Sequence, residues 1–462
     1  MNLGRSILSF VALVLVVPVP GRAQEVAPAA PAQPAAPAGQ AITIDQAIAV
    51  SLEQNPDLIR TRLQALSSAQ DQVLAKSAIL PSLNFNASLG VVRVGGGEEV
   101  GRFTDPATGA TIVQLNPSQT FGSYGIGLSA RQLVFDGGKW WNNLEAADKI
   151  LAASKQSAEE QKLQTVYNTR RTFFELVRAQ RQLDVLKEAA QRSREQAEST
   201  ARLFEGGRAT QADVYAARAN RDNDEVNRLG QEAKVELARQ DLAVAIGRDP
   251  AAPLNVVEPA ELMQDPEAPP AADQAVSRAL ERRPSLKAFA FQLEGLQKQV
   301  QAARGDYYPT VTLNGSYQRA TRDLSDFAKS PEKANTLQGS INLNWNLFNG
   351  FATDANVEKA RIQVLLTSND FQAGKRGVAS DVERAVASWA AARTQAKVAT
   401  QLEDNAVKGL QLAKARQEVG VGTQLEVRDA ELKVTQAKLS RVGALVDGHE
   451  AEAALRRATG DI

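Results

Sequence analysis

The side chains of this chain best placed to do chemistry are carboxylates, and their spacing is that of helix surfaces. Glu426 and Asp429 stand three residues apart, on one face of a helix, with Arg428 between them and within reach of either acid. Two segments, Thr210-Gln-Ala-Asp213 and Thr423-Gln-Leu-Glu426, read Thr-x-x-acid. In such a capping box the threonine accepts from the third helical amide and the acid reaches back to the cap. Asp429 has no acidic counterpart in the first segment, where Ala216 stands. Just upstream, Gly206-Gly207 and Gly420-Val421-Gly422 read as helix C-caps, for which glycine supplies positive φ. Asp222-Asn-Asp224 and Glu159-Glu160 fall inside long helix-compatible runs and read as solvated faces. Catalysis needs titratable groups that converge on a pocket, and these acids are scattered along helices. With one histidine (His449, without a partner motif) and no cysteine, a zinc or transition-metal site is not expected. Gly95-Gly96-Gly97 lacks the helix opening with Lys-Ser/Thr that a phosphate loop requires, so it reads as a surface loop. No cofactor and no enzymatic activity are expected.

The elements that carry these residues begin after an export signal. Arg5, the apolar run Ile7 to Val17, Pro18, Pro20 and Gly21-Arg22-Ala23 describe a cleavable secretory peptide, residues 1–23. The run is too short to span a bilayer, which takes roughly 20 apolar residues. Residues 24–41 are Pro/Ala-rich and read as an extended, disordered tether. Without the first 23 residues the basic count falls from 53 to 51 against 53 acidic side chains, a near-neutral balance that gives no electrostatic case for nucleic acid. No later apolar run reaches spanning length, so a membrane role would have to be a β-barrel. Aromatics are 5% of the chain, which favours long helices over an ordinary globular core.

The chain is written twice. Leu52-Glu-Gln-Asn-Pro56 answers Leu280-Glu-Arg-Arg-Pro284, and Pro81 answers Pro309, both at an offset of 228. Phe135 answers Phe348, Gly207 answers Gly420 and Gly247 answers Gly460, all at 213. Two constant offsets mean two copies of one unit, the first with a 15-residue insertion between Pro81 and Phe135. The units are residues 42–248 and 272–462, joined by a Pro-rich linker, 249–271.

Each unit predicts helix, strand, loop, strand, long helix, turn, helix. Asn55-Pro56 is a cap followed by proline at the first helical position, and Pro81 ends that helix. Period-two alternation follows. Leu83, Phe85, Leu89 and Val91 share one strand face, Val311, Leu313 and Tyr317 the corresponding face in the second copy. The return strands carry Tyr124, Ile126 and Leu128, and then Ile341, Leu343, Trp345 and Leu347. Polar loops are expected over 95–122 and 319–337. No breaker lies between Gly138 and Gly206, a helix of roughly 100 Å. The matching run after Gly350 is weakened by Gly374 and Gly377.

Four amphipathic strands cannot close a membrane barrel, which starts at about eight, and open edges are forbidden in lipid. The strands must therefore close through a symmetric ring of copies, with the helices forming a second cylinder on the same axis. The rival reading is a pore-less exported helical scaffold or tether.

"IDQAIAVSLEQNPDLIRTRLQ", "AILPSLNFN", "LVFDGG", "GGRATQADVYAARA" and "VGVGTQLEVRDAEL", doubled in this order, resemble the TolC family of outer-membrane efflux proteins over residues 42–462. The resemblance implies an α+β membrane protein of two structural repeats, a homotrimer whose 12-stranded β-barrel continues into a long α-helical coiled-coil barrel. It implies the exit duct of a tripartite efflux pump or type I secretion system, in contact with outer-membrane lipid. Its partners would be a periplasmic adaptor and an inner-membrane RND, ABC or MFS transporter. Without a cysteine after the signal, the lipoprotein branch is set aside, and with the end at Ile462 no C-terminal addition to the family's equatorial belt is expected. Carried onto this chain, the resemblance makes Gly206, Gly207, Gly420 and Gly422 adaptor-docking tips as well as caps. Glu426 and Asp429, blunted or not by Arg428, become a ring of carboxylates at the periplasmic gate, against capping for Glu426. The strand residues Leu83, Phe85, Leu89, Ile126, Leu128, Val311, Leu313, Tyr317, Ile341 and Leu343 face lipid. Trp140-Trp141 with Phe135 and Trp345 form either an interfacial aromatic girdle or ordinary packing at the strand–helix junction.

Overall fold

The computed structural model describes residues 41–97, 99–264, 266–323, 325 and 335–461. The expected signal peptide lies outside the described residues, as does the tether except for Ala41. In chain order, α1 (Ile44–Gln54) and α2 (Pro56–Ser77) lead into β1 (Ser82–Val94), β2 (Glu99–Thr104), β3 (Thr111–Leu115) and β4 (Gln119–Phe135). The long α3 (Lys139–Glu205) turns back into α4 (Gln211–Ala245). The second half runs α5 (Ala272–Arg282), α6 (Pro284–Arg304), β5 (Thr310–Thr321), β6 (Asn335–Asn344), α7 (Ala352–Glu418) and α8 (Gln424–Thr459). Helices α1 and α5 keep the offset of 228, and α3 and α7, each of 67 residues, keep that of 213. No described helix is long and apolar enough to cross a membrane.

The short helices stack end to end beside α3. Ser68 Oγ lies 2.9 Å from Ser154 Oγ on one half of α3, and Gln231 Nε2 donates to Ala179 O at 3.1 Å on the other. Where α2 begins and α4 ends, Asn55 joins them. Its Oδ1 accepts from the amides of Asp57 and Leu58, both at 3.1 Å, while its Nδ2 donates to Ala245 O at 3.0 Å. Gly247 is what permits this junction. It has φ +78°, and a Cβ on it would lie 2.4 Å from Gln54 O.

The cores sit near the middle of the long helices. One gathers Ala47, Phe173, Leu176, Val177, Leu242, Ile246 and Val446 together with Leu254 and Leu262 of the linker. The other gathers Ala275, Ala279, Leu286, Val382, Trp389 and Leu455. The linker is also tied down by Ile42, which donates to Asn255 O and accepts from Val257 N, both at 2.9 Å. Gly374 and Gly377 do not interrupt α7, and Gly374 faces Phe289 and Leu286 of α6, where a Cβ would make ordinary contact.

Strands β1-β4-β5-β6 form one antiparallel sheet in that order. Its register aligns the apolar face across strands: Phe85 opposes Leu128, Leu128 opposes Tyr317, and Leu313 opposes Ile341. Nothing among the described residues covers this face, with Phe85 69%, Leu89 78% and Ile341 73% exposed.

Three sequence expectations change. The loop placed at 95–122 holds a second hairpin, β2–β3, closed by Asp105, whose carboxylate accepts from Ala107 N at 2.9 Å and Thr108 Oγ1 at 2.6 Å. Its strands are too short to show alternation, and the turn residues alone carried the signal. Strand β6 stops at Asn344, short of Trp345 and Leu347, because its partner β5 begins at Thr310, which Asn344 faces, after Pro309, which has no amide hydrogen to give; the Trp345 indole donates to Tyr307 O at 3.1 Å. Of the loop placed at 319–337, residues 324 and 326–334 lie outside the described residues, while β5 runs on to Thr321 and β6 begins at Asn335.

Candidate gate and docking site at the helix tips

Both long helices end in the same backbone device. At the first tip Gly207 N donates to Phe204 O at 2.9 Å and Arg208 N to Leu203 O at 2.7 Å. At the second, Gly420 N donates to Gln417 O and Val421 N to Arg416 O, both at 3.0 Å. This is a Schellman closure, which needs the glycine in the left-handed region, and Gly207 and Gly420 have φ of +71° and +80°. Gly206 is ordinary, at φ −81°. Gly422 serves a different need, since a Cβ there would lie 2.9 Å from Gln417 N, so only glycine lets the turn fold back this closely.

The return helices start differently in the two copies. Thr210 and Asp213 complete a reciprocal box, with Asp213 N donating to Thr210 Oγ1 at 3.2 Å and Thr210 N to Asp213 Oδ2 at 2.8 Å. Hydrogen bonds from the Thr210 hydroxyl and amide hold the Asp213 carboxyl below its usual range. Thr423 Oγ1 likewise accepts from Glu426 N at 3.2 Å. The longer Glu426 side chain does not reach back to the cap; its carboxylate lies 3.7 Å from Arg416 Nε on α7.

Arg428 pairs with neither Glu426 nor Asp429. It crosses to α4 and grips Asp224, Nη1 to Oδ2 at 2.8 Å and Nη2 to Oδ1 at 3.0 Å, both side chains largely buried. The reason is helical geometry: a residue two beyond Glu426 and one before Asp429 faces neither. Asp429 is exposed, 2.6 Å from Lys433 Nζ one turn on. Asp224 is therefore not on a solvated face, although Asp222 is, paired with Arg221 at 2.6 Å. Sequence reading missed Asp224 because its partner lies 204 positions away. Buried Glu431 and Arg428 line a cavity of about 230 Å3 between α3, α4 and the start of α8, together with Gln196, Asp213 and Leu425.

Further from the tips, Glu160 also leaves the solvated class. It accepts from Arg283 Nη2 at 3.3 Å and from Ser285 N at 3.2 Å, capping the first turn of α6, while Glu159 stays exposed beside Lys162. His449 packs against Phe174, ring centroids 6.1 Å apart, with Nδ1 3.9 Å from Glu452. Beside it, Arg178 of α3 meets Asp447 at 2.6 Å and Glu450 at 3.3 Å on α8. Burial pushes the Glu450 carboxyl up to about 7, the Arg178 charge opposing the rise. At the strand–helix junction Trp140 and Trp141 stack edge to face, centroids 5.3 Å apart, and Trp141, Phe135 and Trp345 are exposed.

Two long helical hairpins, continuous with a four-stranded sheet whose apolar face is exposed, make up this chain. The chain belongs to the outer membrane efflux protein family, which it matches over residues 47–248 and 275–461. It is 24% identical to the outer membrane efflux protein BepC of Brucella suis biovar 1, over 90% of this chain and 85% of that one. It is 22% identical to the outer membrane protein TolC of Vibrio cholerae serotype O1, over 89% of each. The CmeC outer membrane channel of Campylobacter jejuni has the same fold, with a TM-score of 0.75 at 18% identity over 90% of this chain and 85% of that one. The protein is thus an outer-membrane efflux component of a Gram-negative envelope.

Proposed function

We propose that three copies of this chain close one barrel and one helical tunnel, a passive exit duct for cargo delivered by an inner-membrane RND, ABC or MFS transporter through a periplasmic adaptor. The observation that carries this reading is the four-stranded sheet itself. Strands β1 and β6 are its edges, and its apolar face is exposed. In lipid an unpaired edge has no solvent to satisfy its amides and carbonyls, so β6 of one copy must pair with β1 of the next. The lipid-facing set is then Leu83, Phe85, Leu89, Ile126, Leu128, Val311, Leu313, Tyr317, Ile341 and Leu343. The helical wall supports the same closure. Its flanks, α2 and α7, expose Leu63, Leu66 and Leu74 on one side and Leu365 and Leu366 on the other, stripes that cover each other in a ring. A pore-less scaffold has no use for either surface.

At the far end, the four glycines of the tips and the cavity behind them offer the surface on which adaptor hairpins dock. Glu426 and Asp429, three copies of each, line the constriction and select cations by ring charge. Arg428 is outside the ring, because it is committed to Asp224. Opening requires the α7–α8 hairpin to move against α3–α4, with the energy supplied by the partners. Planar-bilayer conductance of the purified protein, with its oligomeric mass in detergent, tests the reading. Cation-selective channels from trimers are expected, and a monomer without conductance overturns it.

A further inference from the structure

Where the sheet gives way to helices, a cleft of about 540 Å3 lies between the end of α6 and the first turns of α7. That size is typical of small-ligand sites, roughly 300–1,000 Å3. Its charged and aromatic lining is Arg304, Tyr307, Tyr308, Asp354, Glu358 and Arg361. Two guanidinium groups face two carboxylates, so the cleft is neutral but strongly charge-separated. Arg361 Nη1 lies 3.1 Å from Glu358 Oε2, and the Tyr307 hydroxyl donates to Asp354 Oδ1 at 2.6 Å. Arg304 forms no ion pair among the described residues; its Nη1 donates to the neutral Gln301 Oε1 at 3.4 Å. The bond from the Trp345 indole to Tyr307 O ties the end of β6 to this cleft. Beside it Tyr308, Phe348 and Phe351 are exposed, the last two edge to face at 5.5 Å. Exposed aromatics just outside an apolar sheet are interfacial residues, with one end in hydrocarbon and the other in the headgroup layer.

We propose that this cleft holds the headgroup of a zwitterionic phospholipid bearing a primary ammonium, the phosphoethanolamine type. Arg304 and Arg361 take the phosphate, for which the guanidinium fork is suited. Asp354 and Glu358 accept from the ammonium, with the tyrosine rings contributing their faces. An anionic headgroup would set its negative charge against both carboxylates, and a quaternary ammonium has no N–H to give them. The proposal rests on the reading above that the sheet lies in the membrane.

The test uses full-length protein in nanodiscs of mixed phosphatidylethanolamine, phosphatidylglycerol and phosphatidylcholine, with retained lipids counted by native mass spectrometry. One phosphatidylethanolamine per protomer is expected to survive ejection. Arg304→Gln with Arg361→Gln, and separately Asp354→Asn with Glu358→Gln, should each weaken that retention roughly tenfold. Thermal unfolding monitors the fold, and should a double variant melt early, the single exposed change Glu358→Gln repeats the test. Retention without headgroup preference, or unmoved by either pair, overturns the proposal. Competition by soluble glycerophosphoethanolamine at equal concentration would assign the cleft to a free solute and overturn the lipid. A conducting trimer that retains no phosphatidylethanolamine overturns this inference alone, whereas absence of both trimer and conductance removes the channel reading with it.

Discussion

Arg428 on α8 and Asp224 on α4 form a bidentate ion pair buried between the two hairpins, 204 positions apart in the chain. Such a pair is costly to desolvate, yet removing one partner leaves an uncompensated buried charge worth about 3–5 kcal/mol. Arg428→Ala or Asp224→Ala should therefore loosen α8, seen as faster amide hydrogen exchange over residues 424–435. The double substitution should recover part of that loss; if it lost as much as both singles summed, the pair would not couple the hairpins.

The proposed constriction makes a separate prediction, because Asp429 is already neutralised in part by Lys433 at 2.6 Å. Glu426→Ala with Asp429→Ala should raise conductance and lower the preference for cations. Lys433→Ala should do the reverse for selectivity. Bilayer reversal potentials under a salt gradient read both, and unchanged selectivity removes these acids from the gate.

Glu450 predicts a pH dependence of stability. Its folded pKa of about 7 stands above the ordinary value of 4.5, so the folded chain binds the extra proton between those limits. Stability from this group is full below about pH 4.5 and is lost as pH rises through 7, by up to roughly 3 kcal/mol. The faces around it carry Glu175, Arg178 and Arg171 on α3 and Asp447 on α8. Urea midpoints measured from pH 5 to 7.5 should fall in the parent relative to Glu450→Gln, and parallel curves would contradict the assignment.

Two glycines with nearly the same φ should respond differently to alanine. Gly207 has open space where a Cβ would go, so Gly207→Ala should cost only the left-handed penalty, about 1–2 kcal/mol. At Gly247 the same change meets Gln54 O at 2.4 Å, and the α2–α4 junction must open, for more than about 3 kcal/mol. Denaturant midpoints of the two variants compare them directly.

On the sheet, Phe85 and Asn84 are neighbours with opposite faces. Phe85→Lys should cost about 2–4 kcal/mol near the bilayer midplane and cut the yield of protein in outer-membrane fractions, while Asn84→Lys should be tolerated. Equal yields would place the apolar face away from lipid.

Local chemistry was enough to read the elements. Period-two alternation marked β1 and β5, proline at 56 and 284 marked helix starts, and the glycines at 207 and 420 marked the turns, because caps, turns and side-chain periodicity act within a few residues. What escaped were signals with no period: the short β2–β3 hairpin, and the end of β6 at Asn344 rather than Leu347, set by where its partner β5 begins at Thr310.

The sequence by itself marked the long helices, the strands of the four-stranded sheet and the repetition of the unit. Only the tertiary structure decided which charges meet. Asp222 and Asp224 look alike in the chain, yet one is exposed and the other buried against Arg428; Glu159 and Glu160 divide the same way, with Arg283. The physical reason is that a helix shows its polar residues on several faces, and which face is wet depends on the helix packed against it. That neighbour comes from hundreds of residues away, and no local pattern records it.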